Sequence, residues 1–441
     1  MICKHKALFN LLVVIAFFLS CGTTGKNTHA SNTNNKQNVS NMPDTAQNDG
    51  LLESILNNYP QYFAEILKNR NDLNVQVIYT QVNRGANGRP ILQNHYFNVN
   101  AARYYYPAST VKLPIVLLAL QKLHEINNTQ VTPNTTMLTG SAFSGQSDVY
   151  NDPTTPDGRP TIAHYIKKIL MVSDNDAFNR LYEFLGQQYI NDELKKKGYS
   201  DAQVIHRLDI FLSEEENRRT NPITFYDSAG NIVYVQKEQR SNLKYNNRND
   251  SLGKSYYSAG KLINRPMDFS KKNRLCLQDL HNILLSLVFP EKVEASKRFN
   301  ISEDDRRFVL KYMSQYPTES IYPPYSADTI NYWPAYCKFL FYGGSKENPQ
   351  ANIRIFNKVG DAYGQLIDAA YIVDYKNKIE FFLSAVIYCN SDGIINDDKY
   401  DYDSLGLPFM KNLGQVIYNY ELKRHYKNKP DLSPVLFTYD K

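Results

Sequence analysis

Apolar positions along this chain repeat with two different periods, and the switches between them mark out the elements. Residues 51–67 recur at helical spacing, whereas 74–80 is a β-branched and aromatic run that reads as a strand. Gly85 to Gly88 predicts a turn, and residues 92–99 a second strand. Leu113, Val116, Leu117, Leu120 and Leu123 then share one helix face, behind Pro107, which ends whatever precedes it. Residues 165–172 and 177–185 are helical on either side of Ser173-Asp174-Asn175, and helical spacing returns over 275–288 and 304–313. Residues 353–358, 368–374 and 380–388 read as strands, the last two joined by a turn at Asn377-Lys378, and a helix spans 407–420. Strands near both ends with helices between them predict an α+β fold: one antiparallel sheet built from both termini, with a helical lobe inserted in the middle.

The first 50 residues follow neither period. Lys4 and Lys6 precede a mostly apolar stretch, 8–19, shorter than the roughly 20 residues of a membrane-spanning helix. Residues 1–20 therefore read as a signal peptide. Ser20-Cys21 at its end resembles a bacterial lipoprotein box, which implies a lipid on Cys21 and an exported, periplasm-facing protein anchored to a bacterial membrane. Residues 21–50 are rich in Asn, Thr, Ser and Gln and form a flexible tether, because so few apolar side chains cannot offset chain entropy. The body is then 51–422, followed by a basic tail, 423–441. Within the body, 214–265 reads as an insertion that opens on a hairpin, 223–235, with a Gly-Asn turn.

Composition narrows the function classes. The net charge of +6 on 441 residues comes from interspersed Lys, Asp and Glu, so no nucleic-acid patch is expected. The eight His show no metal-ligand spacing, so neither a metal nor another cofactor is expected. Outside the leader remain Cys276, Cys337 and Cys389, which allow one disulfide but do not require one.

The candidate chemistry starts at Ser109 and Lys112. Residues three apart lie on one helix face, so the lysine can reach back to a serine that needs its proton removed before it can attack. In the first helical turn, unpaired N–H groups favour a developing negative charge. Ser173-Asp174-Asn175 and Lys358-Val359-Gly360 follow, completing the order S-x-x-K, S-D-N, K-x-G.

Over about residues 51–422 the chain resembles the class A β-lactamase and penicillin-binding protein superfamily. Arg207-Leu208-Asp209 is similar to the start of the class A omega loop. The resemblance implies a β-lactamase/transpeptidase-like sheet of about five strands and a cleft between sheet and helical lobe. It implies that Ser109 attacks a carbonyl, Lys112 accepts or relays its proton, and Ser173 passes a proton to the leaving nitrogen. Asn175 would hold Lys112 and the substrate amide, Lys358 would serve a substrate carboxylate and the Ser173 relay, and Gly360 would let the strand approach. The oxyanion hole would be the N–H groups of Ser109 and Asp361. Two departures stand out. Val359 occupies the place of a hydroxyl that binds the substrate carboxylate, and Leu212 falls where the omega loop's glutamate is expected. Glu214, Glu215 and Glu216 lie just beyond as possible deacylation bases. The expectation is thus a monomeric serine hydrolase acting on a β-lactam or related amide. A D-Ala-D-Ala peptidase-like protein with slow deacylation, acting on a peptidoglycan-like peptide, and a silent lipid-anchored sensor are the alternatives.

Overall fold

The computed structural model describes residues 48–143 and 146–440. The expected signal peptide, Cys21 and nearly all of the tether lie outside the described residues.

Two strands from the front of the chain and three from the back form one antiparallel sheet. β1 (Gln76–Arg84) and β2 (Pro90–Phe97) pair with β3 (Ile353–Ala362), β4 (Gln365–Asp374) and β5 (Ile379–Tyr388) in the order β3-β4-β5-β1-β2. The period of two sends alternate side chains to opposite faces, and both faces are buried. Val77, Tyr79, Phe381 and Leu383 face one core, and Ile78, Ile367, Tyr371 and Phe382 the other.

Helices cover both faces. α1 (Leu51–Asn57) and α2 (Pro60–Lys68) pack on the first core with a long C-terminal helix, Leu407–Lys423. The single helix expected over 51–67 is broken because Pro60 has no N–H for the preceding turn. It takes the first position of α2 instead, where that donor is dispensable. The second face carries the helical lobe around α3 (Lys112–Ile126), which is buried on nearly every side. Against it stand α4 (Ile162–Val172), α5 (Asn175–Leu185), α6 (Gln187–Lys196), α7 (Leu277–Val288) and α8 (Glu303–Ser314).

β3 runs four residues past its expected end, to a tight turn in which Tyr363 and Gly364 have φ of 53° and 78°. Positive φ at both central residues matches the twist of a two-residue hairpin. In the insertion, Ile223–Tyr226 pairs with Ile232–Gln236 as expected. The connection is longer than a Gly-Asn turn, spanning 227–231, and is closed by Asp227 Oδ1 accepting from the N–H groups of Ala229 and Asn231. Thr136–Thr139 adds a third strand to that hairpin. Residues 424–440, basic by composition, fold back onto α8. Leu432 and Val435 are buried, Arg307 donates to the Pro434 carbonyl, and Lys311 pairs with Asp440. Cys276, Cys337 and Cys389 are free thiols.

Candidate active site

Ser109 sits in a single 3-10 turn, Ala108–Val111, that feeds directly into α3. Ala108 adopts a left-handed φ of 47°, and Thr110 ties the turn back to the Pro107 carbonyl through both its N–H, at 3.0 Å, and its hydroxyl, at 2.6 Å. The next residue, Lys112, is fully buried. Its Nζ donates to the Ser173 carbonyl, to Asn175 Oδ1 at 2.6 Å and to Ser173 Oγ at 3.3 Å. All three partners belong to the Ser-Asp-Asn corner.

That corner exists because two helices meet there. α4 ends at Ser173, left-handed with φ of 61°, and α5 starts on Asp174, whose Oδ1 accepts the N–H of Ala177 as an N-cap. Lys358 reaches the same corner from β3, donating from Nζ to Ser173 Oγ at 2.8 Å and to the Val359 carbonyl at 2.9 Å. One serine hydroxyl therefore stands between two lysines. Burial, reinforced by the Lys358 charge, drives Lys112 well below the ordinary lysine range, and burial pushes Lys358 down to about 8. That direction favours the neutral amine, the form that can accept a proton.

Gly360 permits the close approach of β3. A Cβ there would lie 2.8 Å from the Pro107 carbonyl oxygen and 3.0 Å from Ser109 N. Ladder parity sets the neighbouring N–H. With Ala362 and Gln365 closing the hairpin, alternate residues of β3 bond to β4, so the Asp361 N–H points away from β4 at the sheet edge. Asp361 itself is exposed.

The acidic run does not join this group. Glu214 pairs with Arg218 at 3.0 Å and Lys271 at 2.8 Å, and Glu215 with Arg219 and Arg240, each at 2.8 Å. Glu216 closes a capping box with Ser213. The three glutamates begin a short helix, Glu214–Arg218, where carboxylates favour the positive helix end. None of these bonds reaches Ser109, Lys112, Ser173 or Asn175.

The carboxylate beside the site is Asp209. Its Oδ2 accepts from Asn175 Nδ2 at 3.4 Å, and its backbone is left-handed with φ of 56°. Two clamps hold this position. Asn179 binds both the N–H and the carbonyl of Leu208, each at 2.9 Å. Buried Arg207 bonds Glu183 Oε1 and the Arg219 carbonyl, each at 2.6 Å. Asn175, Asp209, Leu212 and Glu216 line a common cavity of about 230 Å³. Sequence reasoning counted Asp209 only as a landmark and looked three residues beyond it. The available signal was Asp209 itself, a carboxylate next to an apolar Leu208 that anchors the loop.

The profile of the β-lactamase enzyme family matches residues 60–420. No curated protein sequence matches the chain. Among solved structures, a class A β-lactamase from Clostridium kluyveri aligns at 14% identity over 82% of this chain and 98% of its own, with a TM-score of 0.42. A β-lactamase from Xanthomonas campestris aligns at 12% identity over 82% and 98%, with a TM-score of 0.43. One from Desulfarculus baarsii gives 12%, 84% and 99%, with a TM-score of 0.44. The family profile spans α2, all five strands of the sheet, the helical lobe and all three sequence motifs, so the chain belongs to the β-lactamase enzyme family.

Proposed function

We propose that the protein is an exported serine hydrolase that opens a β-lactam or related amide through an acyl-enzyme on Ser109. The observation that carries this reading is the placement of Ser173 Oγ between Lys112 Nζ and Lys358 Nζ, because it supplies a path for one proton from nucleophile to leaving group. Neutral Lys112 accepts the Ser109 proton as Oγ bonds to the carbonyl carbon. The N–H groups of Ser109 and Asp361 receive the developing oxyanion, where loss of one donor typically costs about 2.7–4 kcal/mol. Ser173, polarised by Lys358, delivers the proton to the departing nitrogen. Asp209, across Asn175, then activates the water that releases the acyl group. The leader and Ser20-Cys21 support anchoring of the mature chain through lipid on Cys21.

Intact-protein mass spectrometry tests the reading, with a penicillin and, separately, with an activated aryl ester. A transient adduct that maps to Ser109 and vanishes in Ser109→Ala supports it. A lasting adduct identifies a penicillin-binding protein with slow deacylation. Hydrolysis that survives Ser109→Ala overturns it.

A further inference from the structure

Asp209 is aimed by its backbone. Among the described residues its carboxylate accepts a single hydrogen bond, the long one from Asn175 Nδ2 at 3.4 Å, and its left-handed φ of 56° persists only where neighbours enforce it. The peptide joining Arg207 to Leu208, just ahead of it, is gripped at both of its polar atoms. Asn179 Oδ1 accepts the N–H at 2.9 Å, and His206 Nδ1 lies 2.7 Å from the carbonyl oxygen. His206 Nε2 accepts the Asn273 N–H at 3.2 Å, so the ring proton belongs on Nδ1, which donates it to the Arg207 carbonyl. A doubly protonated ring would take this acceptor away from the Asn273 N–H. Burial holds the His206 pKa down at about 4, which keeps the ring neutral.

The same contacts refer the loop to the nucleophile. Asn273 is fully buried, and its Oδ1 accepts the N–H groups of Ile205 and His206, at 2.8 and 3.1 Å. Its Nδ2 donates to the His206 carbonyl at 3.2 Å, and its own carbonyl accepts from the Tyr104 hydroxyl at 3.1 Å. The His206 ring lies parallel to that of Tyr106, with centroids 6.1 Å apart. Tyr104 and Tyr106 lead into the turn that carries Ser109. Asn273 and His206 therefore join the segment that bears the base to the segment that bears the nucleophile.

We propose that His206 is a positioning residue for deacylation, setting the Arg207–Leu208 peptide so that Asp209 meets the water that attacks the Ser109 ester. The inference rests on the reading of this protein as a Ser109 hydrolase with Asp209 as its deacylating base. His206 acts through Asp209 and takes no proton itself. Water adds its oxygen to the ester carbon and gives a proton to Asp209. The bond from that carbon to Ser109 Oγ then breaks, and the proton returns to the serine.

Burst kinetics of the full-length protein with an activated aryl ester read acylation and deacylation separately. His206→Phe and His206→Leu both remove the ring nitrogens, and they differ enough in shape that the test does not hang on one of them folding. Each should slow deacylation by up to about 10²-fold, the usual cost of misplacing a reacting group by about 1 Å, while acylation stays within about twofold. His206→Gln, whose carboxamide offers both a donor and an acceptor, should recover most of the loss. In the Asp209→Asn background, His206→Phe should slow deacylation no further, because residues that act as a unit are not additive. A general structural defect would instead lower both steps and would persist in that background. Unchanged deacylation in both His206→Phe and His206→Leu, an equal loss of acylation, or a full further loss on top of Asp209→Asn overturns the positioning role alone. Deacylation that Asp209→Asn leaves unchanged, or hydrolysis that survives Ser109→Ala, overturns the reading on which the proposal rests.

Discussion

Asn175 Oδ1 holds Lys112 Nζ at 2.6 Å, so the buried amine is aimed by a carboxamide and not by a carboxylate. A carboxylate there would favour the ammonium form, whereas a neutral acceptor orients the nitrogen and leaves the pKa low. Lys112→Ala should therefore slow acylation by about 10²–10⁴, the usual worth of a positioned base. Asn175→Asp should slow it as well, by recharging the lysine, while leaving the hydrogen bond intact. Rapid-quench mass spectrometry of the acyl-enzyme reads both, and unchanged acylation in Lys112→Ala would remove the lysine from the mechanism.

The two lysines require opposite protonation states, and this gives acylation a bell-shaped pH profile. The rising limb reports loss of the proton from Lys112, whose affinity for it burial has lowered. The falling limb should lie near pH 8, where Lys358 loses its charge. Lys358→Arg should move the falling limb out of the measurable range, because a guanidinium does not deprotonate there.

Lys358 also carries a stability cost with a definite sign. Folded, it releases its proton near pH 8, and unfolded near 10.5. Between those values the unfolded chain binds more protons, so this group's contribution to stability rises with pH, and below 8 the full burial penalty applies. Lys358→Met should remove that penalty and stabilise the inactive protein at pH 7 by up to about 3 kcal/mol. The advantage should shrink as pH approaches 10.5. Chemical denaturation of both proteins at pH 7 and pH 10 measures the difference.

Gly360 is required by space and not by backbone conformation. An added methyl would sit 2.8 Å from the Pro107 carbonyl and 3.0 Å from Ser109 N, both backbone atoms that move only with the nucleophile's turn. Gly360→Ala should therefore cost about 1–3 kcal/mol of stability and a larger share of acylation than of substrate binding. An equal fall in both would locate the fault in binding.

Much of this arrangement was legible from local pattern. The strands of the sheet, the helices around Ser173 and the three motifs each have a short-range signature, and their order along the chain fixed which elements had to converge. What escaped was set by tertiary contact. Pro60 could be read as a break, but only the packing of both α1 and α2 against the C-terminal helix shows that two helices form. Residues 424–440 look like a solvated tail until Leu432 and Val435 find a surface on α8. Asp209 was passed over because counting along a loop assumes its path. Here Asn179 and Arg207 fix the path at Leu208, the chain swings out to solvent at Ile210 and Phe211, and it returns at Leu212 to the edge of the same cavity.

The same loop separates two candidates for the deacylating base. Glu214, Glu215 and Glu216 are each engaged in ion pairs or a helix cap, and such contacts at an exposed helix end are worth at most about 1 kcal/mol. Replacing all three with alanine should leave hydrolysis of the acyl-enzyme within about twofold, with a small loss of stability. Asp209→Asn keeps the acceptor for Asn175 Nδ2 but removes the base. It should slow deacylation by about 10²–10⁴ and convert steady turnover into a burst followed by accumulation of the Ser109 adduct. Burst kinetics with an activated ester separate the two steps directly. If the triple alanine variant accumulates the adduct and Asp209→Asn does not, the water is activated from the short helix, and the loop must rearrange when substrate binds.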